Sequence, residues 1–255
     1  MSCSTRVTLR LTLARAKAEH LAGRGIGKEC VRYTSRFLIF VRIMTHILKN
    51  ELHAIISGKS QVRCGATIQA VTHQLRTSTQ TGTAAEDRKQ IKGQEAERIK
   101  EVADVSGLWL QKVDIRNYVS EGAEQKVYLR DSEHVLKLND AIYFETWRDY
   151  LHNLLLHNYF FPDTAYELIG FTEIDHVLFA LVQQPFVIST TPTDLTEVWK
   201  FMESNGFMNM RNNDYFNAES GVILEDLHDE NVLTQNGILY FIDTVFSLTE
   251  DFWKE

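Results

Sequence analysis

The sequence predicts an α+β fold: a five-stranded antiparallel sheet with one helix between its third and fourth strands, a helical extension before it and a small second part after it. Three observations predict this. Apolar residues recur at helical spacings up to about Val105 and switch to strand-like alternation from Trp109. Residues 115–182 then run strand, strand, strand, helix, strand, strand. Near the C-terminus Asn236-Gly237 separates two short apolar runs, and both residues tolerate the positive φ that a two-residue hairpin demands.

Composition sets the bounds. At 255 residues the chain holds one sizeable domain plus an extension. Its net charge of −7 hides a split. Residues 1–43 carry nine Lys/Arg against two Glu, a net of +7, whereas the remainder carries 18 against 32, a net of −14. An acidic body argues against a nucleic-acid-binding surface, except through the basic N-terminus. The three cysteines, Cys3, Cys30 and Cys64, have neither metal nor disulfide spacing, so a reducing, cytoplasmic setting is expected. The longest apolar run, Phe37–Val41, is far too short to cross a bilayer, and no signal-peptide order precedes it, so no membrane is expected.

Residues 1–43 are Arg-rich and without a clear period. They read as a transit peptide, as a basic arm, or as non-native sequence ahead of a start at Met44. Residues 44–108 form the helical extension. Ile47, Leu48, Leu52, Ile55 and Ile56 share one helical face, and Ile68, Val71 and Leu75 another. Gly58 breaks the first helix and Thr77–Thr83 ends the second. Ala84–Val105 is a charged helix with Ile91, Ile99 and Val102 as its stripe and Ser106-Gly107 as its stop. His46, His53 and His73 read as helix-surface residues, because no third ligand accompanies them.

The domain proper spans residues 109–255, with a first lobe to 184 and a minimal second lobe from 185. Strands are expected at Ile115–Val119, Gln125–Leu129 and His134–Leu138, a helix over roughly Ala141–His157, and strands at Tyr166–Phe171 and Val177–Val182. Lys137 stands inside the third strand; the plainer reading has it facing solvent by alternation. Glu145 and Asp149 lie one turn apart on the expected helix. Gln183–Val187 follows at once, and Pro185 keeps Gln184 extended, as at a boundary between lobes. Asp194 caps a helix that runs to about Ser204 and ends at Asn205-Gly206.

Gly221–Thr244 carries the chemistry. An apolar strand, Val222-Ile223-Leu224, leads into the polar turn Asp226–Asn231, followed by the Asn-Gly hairpin. Because a hairpin folds back on itself, Asn231 and Asp243 land at one end, beside Asp226. Three oxygen-bearing side chains then converge, as a magnesium–nucleotide site requires. The plainer reading is a solvated acidic turn.

The spacing Asp226-x-x-x-x-Asn231 with Asp243 in a following apolar strand resembles the protein-kinase-like superfamily, in the style of aminoglycoside phosphotransferases: Leu224-Glu225 stand where protein kinases have His-Arg. Together with His157-Asn158-Tyr159-Phe160-Phe161-Pro162-Asp163-Thr164-Ala165-Tyr166 and Glu225–Val232, it resembles the kinase-like domain of polyvalent proteins of phages and mobile elements. The resemblance implies a kinase-like bilobal fold with ATP and Mg²⁺. It implies Asp226 as base or hydroxyl-orienting group, Asn231 and Asp243 as metal ligands, and Lys137 as phosphate contact paired with Glu145. Gly122 would sit at the tip of a phosphate-covering loop, and Gln183 and Gln184 would offer main-chain groups to adenine. The acceptor would be a protein or a small molecule, with a nucleotide-binding module without turnover as the alternative. Thr244-Val245 replaces Phe-Gly after Asp243, and twelve residues follow that Asp, leaving little to shape an acceptor site.

Overall fold

The computed structural model describes residues 47–76, 85–113, 116–121 and 125–254. The basic segment 1–43, Met44, His46, the Thr77–Thr83 stop and Gly122 lie outside the described residues.

Three helices open the described chain: α1 (residues 47–56), α2 (Ala66–Arg76) and α3 (Ala85–Val105). The expected breaks hold, with Gly58 at φ 72° after α1 and Gly107 at φ 68° after α3. The stripe of α3 is rotated from the expected one. Ile99 and Ala103 are fully buried while Ile91 and Val102 are half-buried, and the charged Glu95 is buried as completely as Ile99. His53 is also not the surface residue expected: its ring stacks on Phe252 with centroids 4.2 Å apart.

The first sheet contains β1 (Tyr118–Glu121), β2 (Gln125–Leu129), β3 (His134–Asn139), β4 (Glu167–Ile174) and β5 (Val177–Pro185) in the order β1-β2-β3-β5-β4. Every pairing is antiparallel, and the helix α4 (Trp147–Phe160) falls between β3 and β4 as expected. Asp175 and His176, both at positive φ, make the tight turn between β4 and β5.

Helix α4 starts six residues later than Ala141. Ala141 adopts φ 57°, and Thr146 caps the helix by accepting from Asp149 N at 3.1 Å and donating to Asp149 Oδ2 at 2.6 Å. The apolar Ile142 and Tyr143 are therefore exposed on a loop. That loop is held from α3, where Lys92 Nζ donates to the carbonyls of Ala141 and Phe144. Glu95 accepts from Arg148 N at 3.2 Å, placing a carboxylate at the positive end of α4.

Leu108–Leu110 runs beside β4, with Phe171 N donating to Leu108 O and Leu110 N to Phe171 O, each at 2.8 Å. Gly170 permits this approach, since a Cβ there would stand 2.3 Å from Leu108 O. Gly170→Ala is expected to lower unfolding free energy by about 1–3 kcal/mol, because backbone on both sides must give. Urea denaturation measures this, and an unchanged midpoint would refute it.

The second part comprises α5 (Leu195–Ser204), the sheet of β6 (Met208–Arg211), β7 (Asp214–Asn217), β8 (Val222–Glu225) and β11 (Val245–Leu248) in the order β11-β8-β7-β6, and the hairpin β9 (Val232–Gln235)–β10 (Ile238–Phe241). Asp194 caps α5 as expected, and Asn236 and Gly237 turn the hairpin at φ 52° and 77°. One core cluster packs α2, α3 and α4 against β4 and β5 through Ile68, Ile99, Leu151 and Phe171. A second gathers α5, β8 and β11 through Val198, Leu224 and Phe246. Helices α1 and α4 serve both, with Ile55 and Leu151 in the first and Leu52 and Leu156 in the second.

Candidate active site

Strand β8 ends at Glu225, which pairs with Val245 at the start of β11. The loop leaving β8 and the segment arriving at β11 therefore share one location. Asp226 adopts φ 68°, a conformation that Asp tolerates better than most side chains. The β6–β7 turn holds the loop: Asp226 N donates to Asp214 Oδ1 at 3.0 Å, and Leu227 N to Asn213 O at 3.1 Å. Leu227 itself is fully buried in the second core cluster and anchors the loop from below.

Asn231 meets Asp226 directly, its Nδ2 donating to Asp226 Oδ2 and Asp226 O at 2.9 Å each. That commits the amide nitrogen and leaves Oδ1 as the atom able to meet a cation. The main-chain oxygen of Asn231 accepts from Ile242 N at 2.9 Å and Asp243 N at 3.4 Å. The expected meeting of Asp226, Asn231 and Asp243 is thus built from backbone pairing and one side-chain contact.

His228 joins them from inside the loop. Its Nδ1 accepts from Glu230 N at 3.2 Å, and its Nε2 lies 3.1 Å from Asn231 Nδ2 and 3.2 Å from Asp226 Oδ1. His228 lies within the stretch that drew notice, but no role followed from its type alone.

Lys137 does not face solvent. Its side chain is only 5% exposed, and Nζ donates to Ile242 O at 2.8 Å and lies 3.8 Å from Asp243 Oδ2. The Tyr166 ring lies 5.4 Å from Nζ, and Tyr166 Oη donates to the same Ile242 carbonyl at 2.9 Å. Gln125, at the start of β2, donates its amide to Asp243 Oδ2. The carboxylate seen beside Lys137 is therefore Asp243. Glu145 lies on the exposed loop ahead of the Thr146 cap, off the helix on which it was expected, and Asp149 serves the cap.

Gln183 and Gln184 both lie in β5, where Leu136 and Val135 are their partners in β3. Gln184 is 1% exposed, and its amide donates to Thr164 O at 2.8 Å, so its side chain looks inward. The strand pattern alone carried no signal for that. Phe186 N donates to Glu133 O, extending the strand pairing past Pro185.

A second polar cluster lies behind the site and was not expected from the sequence. His157, fully buried on α4, places Nδ1 2.7 Å from Thr244 Oγ1 and Nε2 3.0 Å from Thr164 O. Burial pushes its pKa down to about 3, with Lys137 acting in the same direction and the Thr164 carbonyl opposing them. Thr164 Oγ1 reaches Phe241 O, and the Asn158 amide accepts from Tyr166 N at 2.6 Å and donates to Tyr166 O at 2.8 Å. His157, Asn158, Thr164 and Tyr166 all belong to the 157–166 stretch noted in the sequence.

Asn231 and Asp243 meet through the main chain, while the Asp243 carboxylate itself faces Lys137 and Gln125. Among the described residues no group of three or more His, Cys, Asp or Glu is arranged to hold a metal. A cavity of about 10 Å³ beside Asp243 is bounded by Asn139, Tyr150 and Asn153. A larger one, about 730 Å³, lies between Phe161, Phe201 and Tyr240 and is lined by none of the expected site residues.

The family of serine/threonine/tyrosine kinases found in polyvalent proteins has a model that matches residues 92–250. That span begins within α3 and takes in both sheets and the polar convergence just described. No match was found among curated proteins or among solved structures. Among the described residues no helix is long and apolar enough to cross a membrane.

Proposed function

The chain belongs to the family of serine/threonine/tyrosine kinases found in polyvalent proteins, and from that premise we propose that it transfers the γ-phosphoryl group of ATP to a hydroxyl acceptor in an Mg²⁺-dependent reaction. The acceptor is a protein Ser or Thr, or a small molecule. One observation supports the reading: the Asn231 amide donates to Asp226, Asn231 O accepts from Asp243 N, and Ile242 O accepts from Lys137, so the four residues are neighbours. In this reading the first sheet and the β8–β11 part are the two lobes, and ATP enters between them.

The roles follow from placement. Asp226, with a half-exposed side chain oriented by Asn231 and His228, aligns the acceptor hydroxyl and takes its proton. Lys137, on a stiff strand and desolvated, presents a fixed positive charge to the phosphates. Asn231 and Asp243 would hold the cation. Bound there, Mg²⁺ would neutralise negative charge that develops on the phosphates. The backbone of β5 beyond Gln183 and Gln184 offers groups to the adenine edge, and Gly122 is proposed to cover the phosphates. Glu145, on the loop ahead of the Thr146 cap, is the second carboxylate proposed to pair with Lys137, beside Asp243. A cytoplasmic setting suits the free thiol of Cys64.

A second reading, nucleotide binding without turnover, is favoured by the amide of Gln125 against Asp243, which occupies an oxygen that the cation requires. Titration of the purified chain with ATP and Mg²⁺ separates the outcomes. At a hundredfold excess over Kd, a nucleotide that binds only the folded chain adds about 2.7 kcal/mol and raises Tm accordingly. No shift at millimolar Mg-ATP refutes both readings. A shift with no labelled product, from the chain itself or an added acceptor, selects the second.

A further inference from the structure

The segment that carries Asp243 is held from behind by a single stretch of chain. Phe241 O accepts from Thr164 Oγ1, Ile242 O from Tyr166 Oη, and Thr244 meets His157. Successive residues thus turn opposite ways. Asp243 faces Lys137 and Gln125, whereas Thr244, 3% exposed, points into the interior. The hydrogen positions on His157 are fixed by its partners. Thr164 O can only accept, so Nε2 donates to it, and Nδ1 is left to accept from the Thr244 hydroxyl. Gln184, at the end of β5, donates to the same Thr164 carbonyl and extends the network to that strand.

We propose that the His157–Thr244 hydrogen bond is a positioning device that fixes Asp243 as a ligand for a divalent cation bound with the nucleotide. The inference rests on the reading of Asp243 as a cation ligand. Both groups are buried, so removing the Thr244 hydroxyl leaves His157 Nδ1 with no water to replace it. The segment after β10 then loses the tie on the C-terminal side of Asp243 while keeping those at Phe241 and Ile242. His157 touches neither cation nor nucleotide; it acts through Thr244.

The test uses the full chain with Thr244→Val, which keeps the shape and removes the hydroxyl, and Thr244→Ser, which restores it. Mg²⁺ is titrated at fixed ATP, and the concentration giving half of the nucleotide-dependent rise in Tm is read for each. Thr244→Val is expected to raise that concentration about tenfold or more, the usual cost of losing a group that orients a metal ligand. Thr244→Ser is expected to stay within about twofold of wild type, the hydrogen bond being retained. A Thr244→Val protein with lower basal Tm but an unmoved Mg²⁺ midpoint would show a purely structural bond and overturn the inference. Asp243→Asn separates the two layers. If wild type responds to Mg-ATP but Asp243→Asn does not move the Mg²⁺ midpoint, the ligand reading fails first and the inference falls with it.

Discussion

Asp226→Asn is expected to slow phosphoryl transfer by about 10²- to 10⁴-fold, the span usual for removing a general base, while leaving Mg-ATP binding nearly intact. Asn is the better replacement than Ala because Asp226 sits at φ 68°, which Asn also tolerates and Ala does not. The amide keeps a contact to Asn231 and forfeits the charge that takes the proton. Asp243→Asn should behave differently. It weakens the hold on the cation, so its loss of rate should be partly recovered by raising Mg²⁺, whereas that of Asp226→Asn should not. Autophosphorylation of wild type beside both variants, at two Mg²⁺ concentrations, reads the contrast. Undiminished transfer by Asp226→Asn would remove it from the mechanism. An equal response of the two variants to Mg²⁺ would remove the division of labour.

Local signals told most of the sheet and the heart of the site. The Asn236-Gly237 turn, the strand at Gln125–Leu129 and the cap at Asp194 were legible because a few adjacent residues decide them. That Asn231 and Asp243 lie side by side was legible because one hairpin joins them. What failed depended on distant chain. Ala141–Thr146 has an apolar helical pattern, yet Lys92 from α3 takes two of its carbonyls and Thr146 offers a stronger start. Glu145 lost its helix for that reason. Lys137 looked solvent-facing by alternation, and the Ile242 carbonyl, 105 residues later, with Asp243 beside it, explains its burial. Glu95 reads as one more charge on a polar helix until Arg148 N is found against it. His157 and Asn158 are polar residues on a helix buried on every side, so each needed a partner that no local spacing could name.

That same buried helix makes stability strongly dependent on acid. Two of its histidines have pKa values pushed down to about 3. Desolvation is the main cause for both, joined by Arg148 and Arg76 around His152 and by Lys137 near His157. Unfolded, each titrates near its ordinary value of about 6.5, so between that pH and 3 the unfolded chain binds more protons than the folded one. Their contribution is therefore fully present above pH 6.5 or so and is lost as pH falls. Each histidine removes about 1.4 kcal/mol per pH unit in that window. From pH 6 to pH 4 the pair removes about 5 kcal/mol, comparable with the whole stability of an ordinary domain. Glu95 works in the opposite sense: burial raises its pKa, so its folded form is favoured as pH falls toward the ordinary carboxylate range, and it offsets part of the loss. His152 offers the cleaner handle, because its Nε2 is buried without a hydrogen-bond partner among the described residues. His152→Leu should roughly halve the slope of unfolding free energy against pH below 6, and Glu95→Gln should steepen it. Urea unfolding at pH 7, 6 and 5 measures all three proteins. A wild-type stability that stays level over that range would mean that these rings reach water and protonate without unfolding the chain.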